Sequence, residues 1–291
     1  MPSCDVGGAE VWYDEFGDDD RTPILSSAMN FEAGGYPQIL ATEPLSRRVV
    51  QIQARGYGRS SRVAERPEEG WLAMWADDVC RVADVLGIPT FYYTGVSHGA
   101  GIGWYIAHRH PERLAGLISV VGTPHDREGG TESSRGRAIV QANRHDPAVI
   151  REQFEILAGW TDDPVRLAGR ERMYARVIER IGAQDELEGA INQGKPFPWA
   201  TTDEELAAVL REIDVPTLIL AGMRDGVISP ESSLRGVVNV RGAKAVFWED
   251  EGHMIAGESP ARLAREVGLW LSEREGTAQP ADGIVSEVYA P

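Results

Sequence analysis

The chain has 291 residues, of which 42% are hydrophobic, and it carries 45 acidic residues against 29 Lys and Arg, for a net charge of −16. This length and composition are typical of a globular protein with one large domain, with or without an insert. Because nucleic-acid binding needs a clustered positive field, the acidic balance excludes nucleic acid as an expected partner.

The cysteine count and the hydropathy pattern narrow the class further. Cys4 and Cys80 are widely spaced, so they predict neither a disulfide framework nor a zinc site. No run of apolar residues is long enough to span a membrane, and residues 1–5 lack the basic and apolar regions of a signal peptide. We therefore expect a cytoplasmic protein with no membrane partner and no metal.

Short apolar runs alternate with amphipathic segments through residue 125. This alternation is typical of an α/β fold, in which helices cover a mostly parallel sheet. The predicted strands lie at 11–13, 23–28, 48–54, 90–96 and 117–121. A helix predicted over 71–86 completes one βαβ unit.

The strand signal disappears over residues 126–212, where three helical patterns follow one another. Asp-Pro pairs at 146–147 and 163–164 open the first two, and Thr201 with Glu204 forms a predicted capping box for the third. We interpret this segment as a helical insert in the sheet domain.

The strand rhythm then resumes and completes the predicted sheet. Its last elements are a strand at 216–221, a helix at 230–238, a strand at 244–248 and a helix at 260–274. The predicted organisation is an α/β core of residues 1–125 and 213–275, a helical cap of residues 126–212, and a flexible tail of residues 276–291.

Residues 95–99 read Gly-Val-Ser-His-Gly and match G-x-S-x-G, a tight strand-to-helix turn that raises a serine hydroxyl above the end of a sheet. The motif alone is weak in a chain with 32 glycines. Here an apolar run over 91–93 leads into it and a predicted helix over 100–108 follows, which is the order that this turn requires. We therefore predict that Ser97 is a nucleophile, the alternative being a glycine-rich turn.

A nucleophilic serine needs a base, and a histidine on a later strand-end loop is the natural candidate. His253 follows the last predicted strand and precedes the last helix, so we predict that it is the base. His108 and His110 lie roughly 15 to 18 Å along the helix from Ser97, too far for a hydrogen bond. His145 lies beside a helix start in the insert, where a capping or surface role is expected.

The third member of such a group is a carboxylate that orients the imidazole. Asp225 follows the strand at 216–221 and lies between Ser97 and His253 in chain order, so it is the predicted partner. The rivals closest to His253 in sequence are Glu249, Asp250 and Glu251. They could face the imidazole only through an unusual turn, so we interpret them as surface acids.

On these residues the chain resembles the α/β-hydrolase superfamily, in particular serine-nucleophile members of esterase or lactonase type with a helical cap. The segment 55–60, Arg-Gly-Tyr-Gly-Arg-Ser, is similar to the family's loop after the fourth strand. His253-Met254 and the following Glu-Ser-Pro at 258–260 are similar to its terminal segment. The resemblance implies the α/β-hydrolase fold, with the cap at 126–212.

Two departures from the family pattern affect the site. Where the family often has His-Gly-x-Pro, this chain has Ala-Met-Asn-Phe at 28–31. The backbone N–H of His98 is then one expected oxyanion donor, and that of Asn30, with Met29 second, is the other. Gln53 replaces a common acid, which leaves Arg55 without its usual partner.

The resemblance also narrows the chemistry. Related dehalogenases and epoxide hydrolases have Asp at the nucleophile position, whereas Ser97 favours an acyl-enzyme route. The absence of a His-Gly-Gly-Gly run weakens a lipase of the hormone-sensitive type. We expect a small, largely apolar carbonyl substrate, an ester or lactone, and no metal or organic cofactor.

Substrate contacts are expected from the cap and from strand-end loops. The predicted pocket residues are Phe31, His125, Trp160, Phe197 and Trp199. The alternative for the aromatic residues is ordinary packing, and for His125 a solvated loop position.

Two other functional classes remain open on the sequence. Ser97-His98-Gly99 resembles the turn of some cofactor-independent dioxygenases, so a cofactor-free lyase or oxygenase is one alternative. A non-catalytic protein that binds a small ligand is the other. The sequence also leaves the oligomeric state open, a homodimer included.

Overall fold

The computed structural model describes residues 2–29, 35–131 and 135–277. Eight strands in these ranges form one sheet in the order β1-β2-β4-β3-β5-β6-β7-β8. The strands are β1 Ser3–Asp5, β2 Glu10–Phe16, β3 Ile24–Ala28, β4 Val49–Gln53, β5 Phe91–Val96, β6 Leu114–Val120, β7 Thr217–Gly222 and β8 Lys244–Trp248. The pairs β1–β2 and β2–β4 are antiparallel, and all pairs from β4 to β8 are parallel.

The central strands are apolar because helices cover both faces of the sheet. Every residue of β4 and β7 is buried, as is all of β5 except its last residue. Such continuous apolar runs are typical of parallel strands covered on both sides. Because parallel strands end at the same edge, β3, β5, β6, β7 and β8 present their carboxyl ends side by side.

The helices pack on the two faces of the sheet and in the insert. They are α1 Trp71–Val85, α2 His98–Arg109, α3 Arg135–Ala142, α4 Pro147–Glu155, α5 Pro164–Gly182, α6 Glu186–Ala190, α7 Asp203–Arg211, α8 Pro230–Asn239, α9 Ile255–Glu258 and α10 Pro260–Glu275. On one face, α1 and α2 bury Trp75 and Trp104 in the main core. On the other, α10 buries Val267 and Trp270 in a second cluster.

The described residues between β6 and β7 form helices α3 to α7 and their connecting loops, with a small core of their own. Ile150, Tyr174 and Val177 form this core together with Met254, which comes from the last loop of the sheet domain. Besides the three predicted helices, α3 and α6 are present. They escaped prediction because both are short, with eight residues in α3 and five in α6, so each offers little helical periodicity.

The predicted capping box is displaced by one residue. Thr202, not Thr201, is the N-cap of α7, and its hydroxyl accepts from Glu205 N at 3.2 Å. Glu205 rather than Glu204 returns the contact to the backbone of Thr202 at 3.1 Å. Thr201 also binds Glu205, so both threonines contribute to the same helix start.

The predicted fold class, a mostly parallel sheet flanked by helices, is confirmed. Within the described ranges, no helix combines the length and the apolar character needed to cross a bilayer. The predicted tail lies outside the described residues from residue 278 onward.

Candidate active site

A sharp turn between β5 and α2 carries Ser97. Ser97 has φ 53° and ψ −112°, a conformation that residues with a side chain rarely adopt. Its N–H donates to Val120 O at 2.9 Å, and its carbonyl accepts from Gly101 N at 3.1 Å. The turn is therefore held by β6 on one side and by α2 on the other, which fixes the serine at the carboxyl edge of the sheet.

Glycines surround this turn because the space excludes side chains. A Cβ on Gly95 would lie 2.1 Å from the carbonyl carbon of Gly99, and a Cβ on Gly122 would lie 2.3 Å from the Cβ of Ala100. A Cβ on Gly99 would lie 2.8 Å from Ser27 O, so the end of β3 sits beside the first turn of α2. Both glycines of the motif are therefore required by close packing.

A continuous chain of hydrogen bonds joins Ser97, His253 and Asp225. His253 Nε2 lies 2.9 Å from Ser97 Oγ, and His253 Nδ1 lies 2.9 Å from Asp225 Oδ2 and 3.1 Å from Oδ1. Because an ionised carboxylate only accepts, Nδ1 carries the proton and donates it. Nε2 is then the acceptor for the serine hydroxyl, which is the tautomer that a base for Ser97 requires.

Asp225 is held in place by the turn that follows β7. Its Oδ1 accepts from the N–H groups of Val227 and Ile228, both at 2.8 Å. The residue is 6% exposed. The carboxylate therefore binds the imidazole from a rigid and largely desolvated position, where a hydrogen bond is stronger than in water.

The three acids next to His253 in sequence bind other groups. Glu249 pairs with Arg224 at the surface, Asp250 pairs with Arg166 and Arg262, and Glu251 binds Arg262 and Ser259. The interpretation of all three as surface acids is wrong for Glu251, which is 0% exposed. Its charge is buried because arginines from two helices reach it.

The expected oxyanion donors lie at the start of α2 and the end of β3. The N–H groups of a helix's first turn have no intrahelical acceptor, and His98 is the first residue of α2. Met29 directly follows β3 and packs, partly buried, against the main core. Asn30 and Phe31, also predicted to belong to the site, lie outside the described residues.

His98 and His125 share the electrostatic surroundings of His253. Burial lowers the pKa of His98 well below its usual value, and Arg137 and His253 lower it further. Burial, with a smaller contribution from Lys195, lowers the pKa of His125 to about 3. Both imidazoles are therefore neutral near pH 7. His125 Nδ1 is buried and has no hydrogen-bond partner among the described residues.

Two arginines of the insert add positive charge near the serine. Arg137 of α3 and Arg180 of α5 both lower the pKa of His98. They also oppose the effect of burial on the Tyr57 hydroxyl, whose pKa is about 12. No local pattern marks these two residues, because α5 alone contains several arginines with the same helical spacing.

The aromatic residues predicted to roof the pocket lie in different places. Phe197 is 0% exposed and stacks on Tyr105, with ring centroids 5.2 Å apart, so the prediction that it contacts substrate is wrong. Trp199 packs edge-on against the same ring at 5.9 Å. Tyr105 lies about 12 Å along α2 from Ser97, so this cluster joins the loop before α7 to the far part of α2. Trp160 is 63% exposed on the insert.

Arg55, which lacks its usual partner at position 53, pairs with an acid from another element. Asp78 of α1 accepts from Arg55 Nε at 2.9 Å and from Nη2 at 2.7 Å. Burial raises the pKa of Asp78 to about 6, and Arg55 opposes that rise. Gln53 instead accepts from Arg59 N at 2.7 Å, which shapes the loop after β4.

Among the described residues, no three His, Cys, Asp or Glu side chains are grouped so as to hold a metal ion. The polar centre of the site is instead the serine, the three histidines and Asp225.

Comparison with known proteins identifies one family. The model of the alpha/beta hydrolase fold matches residues 37–260. The 2-hydroxymuconate semialdehyde hydrolase of Pseudomonas putida is 26% identical over 245 residues, which cover 79% of each chain.

Two solved structures share the fold of this chain. The meta-cleavage product hydrolase of Pseudomonas fluorescens IP01 has a TM-score of 0.71 at 21% identity, covering 94% of this chain and 98% of that one. A thermophilic esterase of Thermogutta terrifontis has a TM-score of 0.70 at 19% identity, covering 94% of this chain and 97% of that one.

Proposed function

The chain belongs to the α/β-hydrolase family and to the hydrolase class of enzymes, and we propose that it cleaves small esters or lactones through an acyl-enzyme on Ser97. The observation that carries this proposal is the chain of hydrogen bonds from Ser97 Oγ through His253 to Asp225. A serine hydroxyl is a weak nucleophile unless a base takes its proton as it attacks. The 2.9 Å contact with His253 Nε2 supplies that base.

In the first half of the reaction, Ser97 Oγ attacks the carbonyl carbon while His253 Nε2 takes the hydroxyl proton. Asp225 stabilises the imidazolium that forms, because its carboxylate already accepts from Nδ1. The negative charge that develops on the carbonyl oxygen is bound by the N–H of His98 and by that of Asn30 or Met29. Loss of one such donor typically costs about 10²–10³ in kcat.

The second half releases the acid. His253 gives its proton to the leaving alcohol oxygen, and the tetrahedral intermediate collapses to the acyl-enzyme. The neutral imidazole then takes a proton from water, whose oxygen attacks the same carbonyl carbon. As this second intermediate collapses, His253 returns the proton to Ser97 Oγ, the bond from Oγ to the acyl carbon breaks, and the acid leaves. These steps use only side chains and backbone N–H groups, so the proposal needs no cofactor.

The neutral histidines support a small, largely apolar carbonyl substrate. His98 and His125 add no charge to the site near pH 7, since burial lowers the pKa of each. The unpartnered Nδ1 of His125 offers one hydrogen bond to a polar group of the substrate. Trp160 and Trp199 are exposed, and they remain the insert aromatics predicted to contact a substrate.

A second candidate substrate is 2-hydroxymuconate semialdehyde or a similar carboxylated compound. The Pseudomonas putida relative is named for this compound and covers most of both chains. Arg137 and Arg180, which add positive charge near His98, suit a substrate that carries a carboxylate.

A substrate panel tests both candidates. Nitrophenyl esters, lactones and 2-hydroxymuconate semialdehyde are offered to the wild type and to Ser97→Ala, with circular dichroism as the folding control. We expect ester turnover by the wild type and its near-complete loss in the variant. Equal activity in the two proteins would overturn the nucleophile assignment. A kcat/KM for the semialdehyde tenfold above that of every ester would establish the second candidate.

A further inference from the structure

His253 lies on a loop that the core and the insert hold together. The loop comprises residues 249–254 and is called the His253 loop. It faces residues 157–160 of the insert, called the cap strap. His253 N donates to Leu157 O at 2.9 Å, and Trp160 N donates to Asp250 O at 2.9 Å. The backbone of the proposed base is therefore fixed directly by the insert.

Two glycines allow the His253 loop and the cap strap to approach so closely that neither can move past the other. A Cβ on Gly252 would lie 2.5 Å from Leu157 O, and a Cβ on Gly159 would lie 2.5 Å from Asp250 O. The two backbones thus touch along their length. A shift of the cap strap must therefore move the His253 loop with it.

Arg166 of α5 fastens this contact electrostatically. Its Nη1 donates to Asp250 Oδ2 at 2.5 Å, and its Nη2 lies 2.9 Å from Glu251 Oε2. One turn further along α5, Arg170 donates to Gly159 O at 2.7 Å. Helix α5 therefore binds Asp250 and Glu251 of the His253 loop and also the cap strap that faces this loop.

Glu251 receives a second set of contacts from the core. Its Oε1 accepts from Arg262 Nη1 at 2.6 Å and from Ser259 Oγ at 2.7 Å. Its backbone carbonyl accepts from Arg224 N at 3.0 Å, one residue before Asp225. Glu251 thus connects the loop of the proposed base with the loop of the proposed carboxylate.

The position of Glu251 depends on its arginines because the side chain is fully buried. Burial raises the pKa of this carboxyl, while Ser259, Arg166 and Arg262 lower it. Removing one partner of a buried charge is far more costly than losing an exposed ion pair. Without Arg166, Glu251 keeps its contacts with Arg262 and Ser259 of the core, and the His253 loop loses its ion pairs with the insert.

We propose that Arg166 is a positioning residue, which holds Asp250 and Glu251 so that His253 Nε2 stays within reach of Ser97 Oγ. This inference rests on the proposed function in taking His253 as the base. Arg166 acts through the loop backbone and contributes no contact to the reacting atoms. The insert then serves the chemistry as well as the binding of substrate.

The test uses three arginine variants of the full chain. Arg166→Met keeps the length of the side chain but removes its charge, and Arg166→Lys keeps the charge but loses the planar fork that reaches two acids. Arg176→Met is the matched control, since Arg176 is exposed on the same helix. Ester kinetics give kcat and KM separately. Nitrogen NMR of histidine-labelled protein, with His253 assigned from a His253→Gln variant, reports its tautomer and its Nδ1 proton.

A misplacement of about 1 Å can cost 10²-fold in rate, so we expect Arg166→Met to lower kcat by about 10- to 100-fold with KM within about twofold. Its His253 signals should shift towards a mixture of tautomers. Arg166→Lys should recover part of kcat, and Arg176→Met should match the wild type. Should Arg166→Met fail to fold, Glu251→Gln carries the same expectations.

Two results would overturn the proposal. One is a folded Arg166→Met protein with wild-type kcat and unchanged His253 signals. The other is a rise in KM alone, which would make Arg166 a substrate-binding residue. A wild type that cleaves no ester contradicts the proposed function instead, and the NMR comparison still decides whether Arg166 positions His253.

Discussion

The carboxyl edge of the sheet and the helical insert are built on different principles. At the sheet edge, Ser97 and Asp225 follow strands that are almost entirely buried, and backbone hydrogen bonds fix each turn. The insert instead exposes large apolar side chains, with Ile156 at 65%, Trp160 at 63% and Val165 at 74%. The comparison teaches that the candidate catalytic side chains lie in turns that buried strands and backbone hydrogen bonds hold, and not among the exposed apolar side chains of the insert.

The ion pairs of the insert fall into two groups, exposed pairs and buried pairs. Most of its ion pairs, such as Arg151 with Glu171, lie at the surface, where a pair contributes at most about 1 kcal/mol. The pairs of Arg166 with Asp250 and Glu251 are largely buried and reach the sheet domain. The part of the insert around Arg166 is therefore attached to the loop that carries His253.

The largest expected contrast is between a histidine of the sheet edge and one of the insert. His253→Gln should lower kcat/KM for nitrophenyl esters by roughly 10⁵-fold, because Ser97 loses its base. His145→Gln, at an exposed position of the insert, should leave the value unchanged. Steady-state kinetics on both purified variants check this, and a His253→Gln loss below tenfold would contradict the division of roles.

Glycine substitutions extend the comparison of sheet edge and insert to the free energy of unfolding. Gly95→Ala should destabilise the fold by about 3 kcal/mol, because the new Cβ would lie 2.1 Å from the backbone of α2. Gly136→Ala, in helix α3 of the insert, meets only Gln153 Oε1 at 3.6 Å and should stabilise it by about 0.5 kcal/mol. Urea unfolding measures both, and similar values for the two variants would break the comparison.

The buried His125 predicts a pH dependence of stability. Its pKa is lowered from 6.5 to about 3 in the folded protein, so between these values the unfolded chain binds a proton that the folded chain does not. Stability therefore falls as the pH drops from 6.5 towards 3. His125→Gln should reduce the free energy of unfolding that is lost between pH 6.5 and 4 by on the order of 2 kcal/mol.

The control for that pH dependence is His145→Gln, which removes an exposed histidine from the insert. Unfolding curves at several pH values should be unchanged by this control. An equal slope for the wild type and His125→Gln would contradict the burial of a neutral His125.

The smallest effect is expected at the exposed face of the insert. Trp160→Ala should change the free energy of unfolding by less than about 0.5 kcal/mol, since the side chain is 63% exposed and its backbone bond to Asp250 is kept. Thermal unfolding at fixed pH checks this. A loss above 1 kcal/mol would show that the insert face is packed after all.

Local signals made the sheet edge predictable. The run into Ser97, the G-x-S-x-G pattern and the helix behind it lie within about 20 consecutive residues, so their geometry is set by the chain itself. Asp225 and His253 were predictable because each follows a strand of the same parallel sheet. The capping box was ambiguous, since Thr201 and Thr202 stand at equal spacing from Glu204 and Glu205.

The unpredicted features depend on contacts between distant residues. Glu251 is buried only because Arg166, on a helix 85 residues earlier, and Arg262 both reach it. Arg55 finds its acid on α1, at Asp78, and not two residues before it. Phe197 is aromatic and is therefore predicted to line the pocket, but its ring stacks on Tyr105. No periodicity within one element reports such pairings.

The most direct test of the catalytic centre is covalent labelling of the wild type with a fluorophosphonate, followed by intact mass measurement and peptide mapping. A serine made nucleophilic by His253 and Asp225 should take up one label, located on Ser97. A fully folded protein that stays unlabelled at Ser97, or that is labelled elsewhere at the same rate, would contradict the account.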